Sequence, residues 1–334
     1  MQFKQSMFAC VVAFAGLAGQ ALALPASYEL GLPVECALGV DCFVQQMPDM
    51  APGTAVEDPF CARASYNGHD GLDIRLRSLV DIAQGVPVVA SAAGRVRGVR
   101  DEMEDSLVDS EAQRAALADR ECGNGVVLDH GDGLETQYCH LRQGSVAVQS
   151  GDTIAAGQKL GEIGASGVAQ FPHVHLSVRV DGHKVDPISG QGLNAGCAGP
   201  NALANGMFAA GAASQLSADT TALLDMGLAG APIEYSSLVV SGAPSTPSAG
   251  APASLAWGWF INLREGDVIR SKLTSPDGAV FYEGSSDPLD RDKASYASVA
   301  GRERPLAPGS WTVEIEVMRE GTPLIVESRS ISVE

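Results

Sequence analysis

The chain has 334 residues, of which 45% are hydrophobic, so it is long enough for two domains with sizeable cores and is not a wholly disordered protein. Lysine and arginine total 22 against 40 aspartates and glutamates, which gives a formal net charge of −18. This excess of negative charge argues against a protein that binds nucleic acid through bulk positive charge, and against adhesion to an anionic membrane surface.

Residues 1–23 are predicted to be a signal peptide. Lys4 precedes an apolar run that ends near residue 19, and residues 21–23 form an A-x-A cleavage pattern. The apolar run is too short to span a bilayer comfortably, and no later apolar run reaches about 18 residues. We therefore expect an exported protein, periplasmic or extracellular, whose mature chain starts at residue 24 and does not span a membrane.

Export permits disulfide bonds, and six cysteines follow the predicted signal peptide: Cys36, Cys42, Cys61, Cys122, Cys139 and Cys197. Their even number indicates up to three bridges, but the sequence does not choose among the possible pairings. A bridge between Cys36 and Cys42 is weakly favoured, because it closes a short glycine-containing loop. No C-x-x-C pair occurs, which disfavours a zinc site built from thiolates.

The first half of the mature chain is predicted to be an irregular, disulfide-bearing segment at 24–60 followed by an all-β domain at 61–190. The short strands of that domain are separated by glycine-containing turns, without the alternation of strands and helices that a parallel sheet requires, so we expect antiparallel sheets. The predicted strands are 86–90, 94–99, 125–130, 135–141, 146–148, 153–155, 159–163 and 173–180. The charged stretch 101–121 is predicted to be an exposed helical insertion.

The second half is predicted to be a connector at 191–253 and a β-sandwich at 254–334. The connector is rich in Gly, Ala and Pro and has room for the first strands of the following domain. The predicted sandwich strands are 255–263, 267–273, 279–282, 310–317 and 324–333. Its tryptophans, Trp257, Trp259 and Trp311, are expected in the core, with a sugar-stacking surface as the alternative. The role of this domain stays open, and binding of a protein partner is one of the alternatives.

His69 and Asp73 form the first candidate motif. Their spacing of four residues places both side chains on one side of an extended or lightly bent segment, and both residue types are good zinc ligands. Gly71 between them lets the backbone come close to a metal or a substrate. The alternative is a loop histidine and a turn aspartate without a metal.

Three further histidines extend the pattern. His173 and His175 alternate along a strand, so both imidazoles are expected on one face. His140 ends a hairpin strand, where regular alternation predicts that it shares a face with Tyr138 and that Cys139 points to the opposite side. By contrast, His130 and His183 in turns are expected to be structural or merely exposed.

Together, these residues offer two histidines and an aspartate as ligands, and two spare imidazoles. Three protein ligands with a position left for water are typical of a catalytic zinc site. Zinc lowers the pKa of its bound water to about 7 and polarises a carbonyl, while spare imidazoles accept and donate protons. The pattern therefore predicts metal-assisted hydrolysis of an amide bond.

The segment from about residue 66 to about residue 188 resembles the M23 metallopeptidases, the lysostaphin and LytM type of peptidoglycan endopeptidase. The motifs that carry the resemblance are H-x-G-x-D, a G-N-x-V to Y-x-H-L stretch, and H-x-H. In this sequence they are His69-Asp70-Gly71-Leu72-Asp73, the stretch from Gly123-Asn124-Gly125-Val126 to Tyr138-Cys139-His140-Leu141, and His173-Val174-His175.

The resemblance implies one zinc ion per chain bound by His69, Asp73 and His175. It further implies that His140 and His173 are the catalytic pair around the water and the oxyanion. The implied fold is a compact antiparallel β structure with the site in an open groove. The implied substrate is a peptide bond in the stem peptides or cross-links of bacterial peptidoglycan.

Two departures from the family and one alternative function accompany this hypothesis. Ser177 stands where the family often has glutamate, and the 101–121 insertion puts the substrate preference in doubt. The alternative function is a non-catalytic M23-like module that binds the wall or activates another hydrolase. Such modules lack ligands, whereas this chain has all three ligands and both spare imidazoles.

Overall fold

The structure, a computed structural model, describes residues 28–334, so the predicted signal peptide lies outside the described residues. Within 28–334, no helix has the length and apolar character needed to cross a membrane. The described chain is dominated by antiparallel strands, as predicted.

The first part of the chain is built on ten strands. They are β1 (Phe43–Gln46), β2 (Leu72–Arg75), β3 (Pro87–Val89), β4 (Gly94–Arg100), β5 (Asn124–Gly131), β6 (Leu134–Leu141), β7 (Thr153–Ile154), β8 (Lys159–Glu162), β9 (His173–Val180) and β10 (His183–Val185). Eight of them form one antiparallel sheet in the order β1-β2-β9-β6-β5-β4-β7, with β10 paired to β9, and β3 pairs with β8. The helices are short: 3-10 turns at Leu79–Gln84 and Ala202–Asn205, and α1 (Glu111–Ala116), α2 (Ala210–Ala213) and α3 (Tyr235–Ser241).

The alternation in β9 explains how the large sheet separates a core face from a site face. Val174, Leu176 and Val178 are fully buried in the main hydrophobic cluster. His173 and His175 have the opposite parity and therefore point to the other face of the sheet. One strand thus contributes both to the core and to the candidate site.

The second part of the chain forms a sandwich of two antiparallel sheets. Its strands are β11 (Ala222–Ala229), β12 (Ser254–Leu263), β13 (Val268–Thr274), β14 (Val280–Ser285), β15 (Lys293–Arg302), β16 (Gly309–Arg319) and β17 (Thr322–Val333). One sheet has the order β11-β12-β15 and the other β14-β13-β16-β17. Trp257, Trp259 and Trp311 are all buried, so the expectation that they belong to the core is confirmed.

The two parts meet along a second apolar cluster. Phe43 and Phe171 of the first part lie in this cluster with Trp257 and Trp259 of the sandwich. The fully buried Arg75 lies beside it, with its guanidinium carbon 4.5 Å from the centre of the Phe171 ring and 5.5 Å from that of Trp259. The sandwich therefore packs directly behind the strand that carries Asp73.

Several predicted elements differ from those observed. Residues 146–148 form no strand, although Ala147 N–H donates to the Leu160 carbonyl at 2.9 Å. In the 101–121 insertion only α1 is helical, because Asp105 and Leu107 instead make β-bridges to Ser166 and Ala169. Four strands were not predicted: β1, β2, β10 and β15. The strand β11 lies within the connector range 191–253, which was expected to have room for the first strands of the following domain, and it pairs with β12.

Three disulfide bonds occur in the described chain. Cys36–Cys42 is the pair that the sequence weakly favoured, and Cys61–Cys197 and Cys122–Cys139 complete the set. All six cysteines beyond the predicted signal peptide are therefore paired, as expected for an oxidising compartment.

Candidate metal centre

The pairing of β2 with β9 places Asp73 directly opposite His175. His69, four residues earlier, completes a group of three potential ligands. His69 Nε2 is 3.1 Å from Asp73 Oδ2, His175 Nδ1 is 2.8 Å from Asp73 Oδ1, and the two imidazole nitrogens are 3.2 Å apart. His69 and Asp73 are each only 2% exposed, so these donors converge away from bulk water.

Gly71 permits this convergence. A Cβ at position 71 would lie 2.5 Å from the Leu176 carbonyl oxygen and 2.6 Å from the His175 imidazole. Contacts below 3.0 Å essentially never occur for a real Cβ, so any larger residue would push His175 away. The close approach expected at Gly71 is thus an approach to the His175 side chain of the neighbouring strand.

Both histidines of the group are oriented by their second ring nitrogen. His69 Nδ1 donates to the Met47 carbonyl at 2.7 Å, and His175 Nε2 donates to Asp70 Oδ1 at 3.0 Å. Asp70 also pairs with Lys184. Such partners fix the tautomer and the direction of a metal-binding imidazole. Neither Asp70 nor Met47 was predicted from the sequence, although a carboxylate next to a candidate ligand histidine is a usable signal for Asp70.

The charges of Asp73 and His175 are strongly coupled. Burial alone would raise the pKa of Asp73, but the imidazoles of His69, His173 and His175 hold it well below its usual range. Burial likewise opposes the charge on His175, yet hydrogen bonds to Asp70 and Asp73 raise its pKa to about 9. A buried carboxylate surrounded by imidazole nitrogens is a donor set suited to a divalent zinc ion. The residues present therefore fit the metal that the motifs imply.

His140 and His173 lie next to this group with their rings in contact, 4.5 Å between centres. His140 Nδ1 donates to the Ser166 carbonyl and His173 Nδ1 to the Phe171 carbonyl, both at 2.8 Å. Because a carbonyl only accepts, each Nδ1 carries the hydrogen and each neutral ring has a free lone pair on Nε2. Burial lowers the pKa of both rings, and for His140 the neighbouring His173 and His175 lower it further. Both rings are thus neutral near pH 7 and able to accept a proton.

The position of His140 corrects one expectation. Regular alternation predicted that it shares a face with Tyr138, but Tyr138 lies in the hydrophobic core, where its hydroxyl accepts a hydrogen bond from Ser91 N–H at 2.7 Å. The reason is a β-bulge, since Tyr138 pairs with Val126 and Leu141 with Asn124, leaving one extra residue in β6. His140 has a positive φ of 61° at this bulge and contacts His173 instead.

The remaining histidines lie outside the group. His130 Nδ1 bonds to the Ala93 carbonyl at 2.8 Å and its Nε2 to Thr136 Oγ1 at 2.7 Å, which is the structural role expected. His183 is exposed in β10. A second cluster of Glu57, Cys61 and Cys197 has the spacing of a metal site, but both sulfurs are used in a disulfide and supply no thiolate.

Two features border the centre. Tyr66, half exposed, lies with its ring centre 4.7 Å from that of His69, and the sequence analysis did not select it. The 101–121 insertion bridges to Ser166, whose carbonyl accepts the His140 hydrogen bond. The insertion is therefore adjacent to the residue that orients the His140 imidazole. Ser177, which stands where glutamate is often found, is buried and lies on β9 two residues beyond His175.

Comparison with known proteins identifies the same region. Residues 67–187 match the model of "Peptidase family M23". The DD-carboxypeptidase/endopeptidase Mpg of Neisseria meningitidis is 30% identical over 139 residues, which are 41% of this chain and 27% of Mpg. The peptidoglycan DD-endopeptidase ShyA of Vibrio cholerae is 36% identical over 64 residues, 19% of this chain and 14% of ShyA. The chain thus spans about a quarter or less of the length of these relatives.

Solved structures are also similar to part of the chain. The catalytic domain of EnpA from Enterococcus faecalis has 22% identity, with a TM-score of 0.30 over 44% of this chain and 88% of that domain. The catalytic domain of lysostaphin from Staphylococcus simulans has 22% identity, with a TM-score of 0.27 over 48% of this chain and 89% of that domain.

Proposed function

We propose, from the M23-type domain at residues 67–187, that this chain is an exported zinc metalloendopeptidase that hydrolyses peptide bonds in peptidoglycan stem peptides or cross-links. The observation that carries the proposal is the buried convergence of His69 Nε2, Asp73 and His175 Nδ1 beside two neutral imidazoles. The similarity to Mpg, a DD-carboxypeptidase/endopeptidase, and to ShyA, a peptidoglycan DD-endopeptidase, supports the choice of a peptide bond in the cell wall. Three disulfides and the predicted signal peptide support export.

The three ligands have distinct tasks in this proposal. His69, Asp73 and His175 would hold the ion, which supplies Lewis-acid polarisation of the scissile carbonyl and lowers the pKa of a bound water. Asp73 contributes the negative charge that the buried site needs. Met47 and Asp70 keep the two rings directed at the ion through their hydrogen bonds to the opposite nitrogens.

The neutral pair performs the proton transfers. With Nδ1 bound to a backbone carbonyl, each ring presents Nε2 as a base for the attacking water. Once protonated, the same nitrogen is a donor that stabilises the tetrahedral oxyanion or protonates the leaving amine. His140 and His173 together therefore supply the general base, the oxyanion donor and the general acid of amide hydrolysis.

Digestion of purified peptidoglycan by the purified protein tests the proposal directly. Mass spectrometry should identify one newly freed amine per cleaved bond, a chelator should abolish cleavage, and added zinc should restore it. Cleavage that continues in full without metal would contradict the proposal.

Four variants separate the two groups of residues. His69→Ala and Asp73→Ala should lose both bound zinc and activity. His140→Ala and His173→Ala should keep zinc at one ion per chain and lose turnover by about 10²- to 10⁴-fold. The exposed His183→Ala is the matched control and should match the unmodified protein. A protein that binds the wall but has neither zinc nor cleavage would favour the non-catalytic alternative.

A further inference from the structure

A β-bulge beside the metal centre determines where His140 points. On β5, Gly125 lies between the paired positions Asn124 and Val126, whereas β6 has two residues, Cys139 and His140, in the corresponding interval. Bulges of this kind bend a strand and redirect a side chain. Here the bulge turns His140 away from the core and towards the candidate site.

The backbone of His140 is in the left-handed region, with φ of 61°, which is unfavourable for a residue other than glycine. Backbone hydrogen bonds support it from two sides. Its N–H donates to the Cys122 carbonyl at 2.8 Å, and its carbonyl accepts from Gly164 N–H at 3.0 Å. The conformation therefore depends on Cys122 staying close to β6.

A disulfide keeps Cys122 there. Cys122 is bonded to Cys139, the other residue of the bulge, and their Cα atoms are 4.8 Å apart. Cys122 thus contacts the bulge twice, through its sulfur to Cys139 and through its carbonyl to His140. Gly125 makes room for this arrangement, because a Cβ there would lie 2.5 Å from the Tyr138 carbonyl and 3.0 Å from the Cys122 sulfur.

We propose that the Cys122–Cys139 disulfide is the positioning element of His140: it fixes the bulge in which the imidazole is aimed at the metal centre. This inference rests on the proposed function, since it assigns the bridge to the orientation of a catalytic residue. Cys139 lies opposite His175 in the pairing of β6 with β9, and that pairing continues along β6 through five further residues that are independent of the bridge. Because the strand pairing holds His175 in place, loss of the bridge should affect turnover without removing the metal.

The test compares two double variants of the full mature chain. Cys122→Ala/Cys139→Ala removes the proposed positioning bridge, and Cys36→Ala/Cys42→Ala removes a bridge outside the bulge. For each protein, kcat and KM are measured on a peptidoglycan-derived peptide well below its own Tm, together with bound zinc. We expect the first variant to lose kcat about tenfold or more, with KM within twofold and one zinc per chain, because small misplacements of catalytic groups are costly. The second should keep the kcat of the unmodified protein.

Several results would overturn the inference. If kcat of Cys122→Ala/Cys139→Ala stays within twofold of the unmodified protein while only Tm falls, the bridge has a purely structural role. A loss of zinc, or a rise in KM at constant kcat, would show that it acts on another part of the site. An equal fall in kcat for the control variant would show a general effect of lost bridges.

A crystal structure of the double variant decides the question even without activity. We expect the bond between His140 Nδ1 and the Ser166 carbonyl, 2.8 Å in the intact protein, to be lost and φ of His140 to become negative. An unchanged His140 would refute the positioning role. If the unmodified protein cleaves no peptidoglycan, the proposed function is refuted. The crystal structure of the double variant then still tests whether the bridge positions His140.

Discussion

At the scale of single residues, the metal centre depends on how closely β2 approaches β9. The approach is set by Gly71, which has the Leu176 carbonyl on one side and the His175 ring on the other. The carbonyl belongs to a paired strand and cannot retreat, so the imidazole is the group that would have to move. A side chain at position 71 should therefore weaken metal binding by displacing the His175 imidazole.

Gly71→Ala should weaken zinc binding by about 10- to 100-fold, the range found when groups that orient metal ligands are altered. Competition with a chromophoric chelator measures the affinity. Gly98→Ala on β4 is a matched control, because a Cβ there would meet nothing within 4 Å. Equal zinc affinity of the Gly71 variant and the control would show that the ring accommodates the methyl group.

Asp186 is a second residue from which a measurable effect is predicted, in this case a pH dependence of the free energy of unfolding. Its side chain is fully buried and accepts hydrogen bonds from Ile188 N–H and from both Ser189 N–H and its hydroxyl. Burial nevertheless outweighs these bonds, and with a small contribution from Asp58 it raises the pKa to about 6. The carboxyl thus gives up its proton less readily in the folded chain than in the unfolded one.

The sign of the resulting pH dependence follows from linkage. Between about pH 4 and pH 6 the folded state binds more protons at Asp186 than the unfolded state, so its contribution to the free energy of unfolding falls as pH rises. A shift of about two pKa units corresponds to about 3 kcal/mol. In urea denaturation, the stability of the unmodified protein relative to Asp186→Asn should therefore fall by about that amount from pH 3.5 to 7. A difference between the two proteins that stays constant over this pH range would contradict the assignment.

At the scale of elements, regular alternation of side chains was enough to predict the strand that carries His173 and His175. His173–Val180 alternates strictly, and β9 has those bounds. The spacing from His69 to Asp73 and the alternation in β9 predicted that these side chains share faces, whereas the choice of His175 and not His173 as the third proposed ligand came from the family resemblance. Periodicity could not reveal the bulge in β6, because an extra residue breaks the alternation from which the facing of His140 was predicted. Nor could it reveal β1, a four-residue strand that owes its existence to pairing with β2.

Asn124 connects three of these elements and supports another prediction. Its side chain accepts from Met103 N–H at 2.8 Å and donates to the Met103 and Leu141 carbonyls at 2.7 and 3.2 Å. It therefore anchors the base of the 101–121 insertion to the end of β6, and it is fully buried.

Asn124→Ala should lower the free energy of unfolding by about 2 kcal/mol or more, because it leaves a buried Met103 N–H without an acceptor. Chemical denaturation gives the value. Asn201→Ala, at an exposed asparagine whose side chain makes no capping hydrogen bond, should change stability by less than about 0.5 kcal/mol. Similar losses in the two variants would show that the Asn124 bonds contribute little.

At the scale of the whole molecule, Arg75 links the two parts of the chain. Its guanidinium donates to Gln45 Oε1, to the Leu76 carbonyl and to the Arg77 carbonyl, while its face lies near Phe171. Asp73 is two residues away on the same strand. The sandwich therefore meets the strand that carries Asp73 through Arg75 and the apolar cluster around it, together with direct hydrogen bonds from Gln45 to the Ala294 carbonyl and from Arg77 to the Leu224 carbonyl.

Arg75→Ala should cost about 3 kcal/mol, through lost hydrogen bonds, lost cation–π contact and a cavity at the junction. In calorimetry we expect the single transition of the unmodified protein to split in two as the sandwich unfolds separately. Arg97→Ala, at an exposed arginine paired with Glu135, should leave the transition in place. A single unshifted transition for Arg75→Ala would show that the apolar cluster and the hydrogen bonds of Gln45 and Arg77 join the parts without Arg75.

The bridge from Cys61 to Cys197 spans 136 residues, and the Cys122–Cys139 pair lies inside that span. A chain that emerges from its N-terminus during synthesis or export offers Cys122 and Cys139 as partners to Cys61 long before Cys197 appears. To form the native bridge, Cys61 must either remain a free thiol until Cys197 appears or replace a non-native disulfide partner by thiol–disulfide exchange. The order in which the cysteines arrive therefore makes Cys61–Cys197 the bridge most open to mispairing during maturation of this chain.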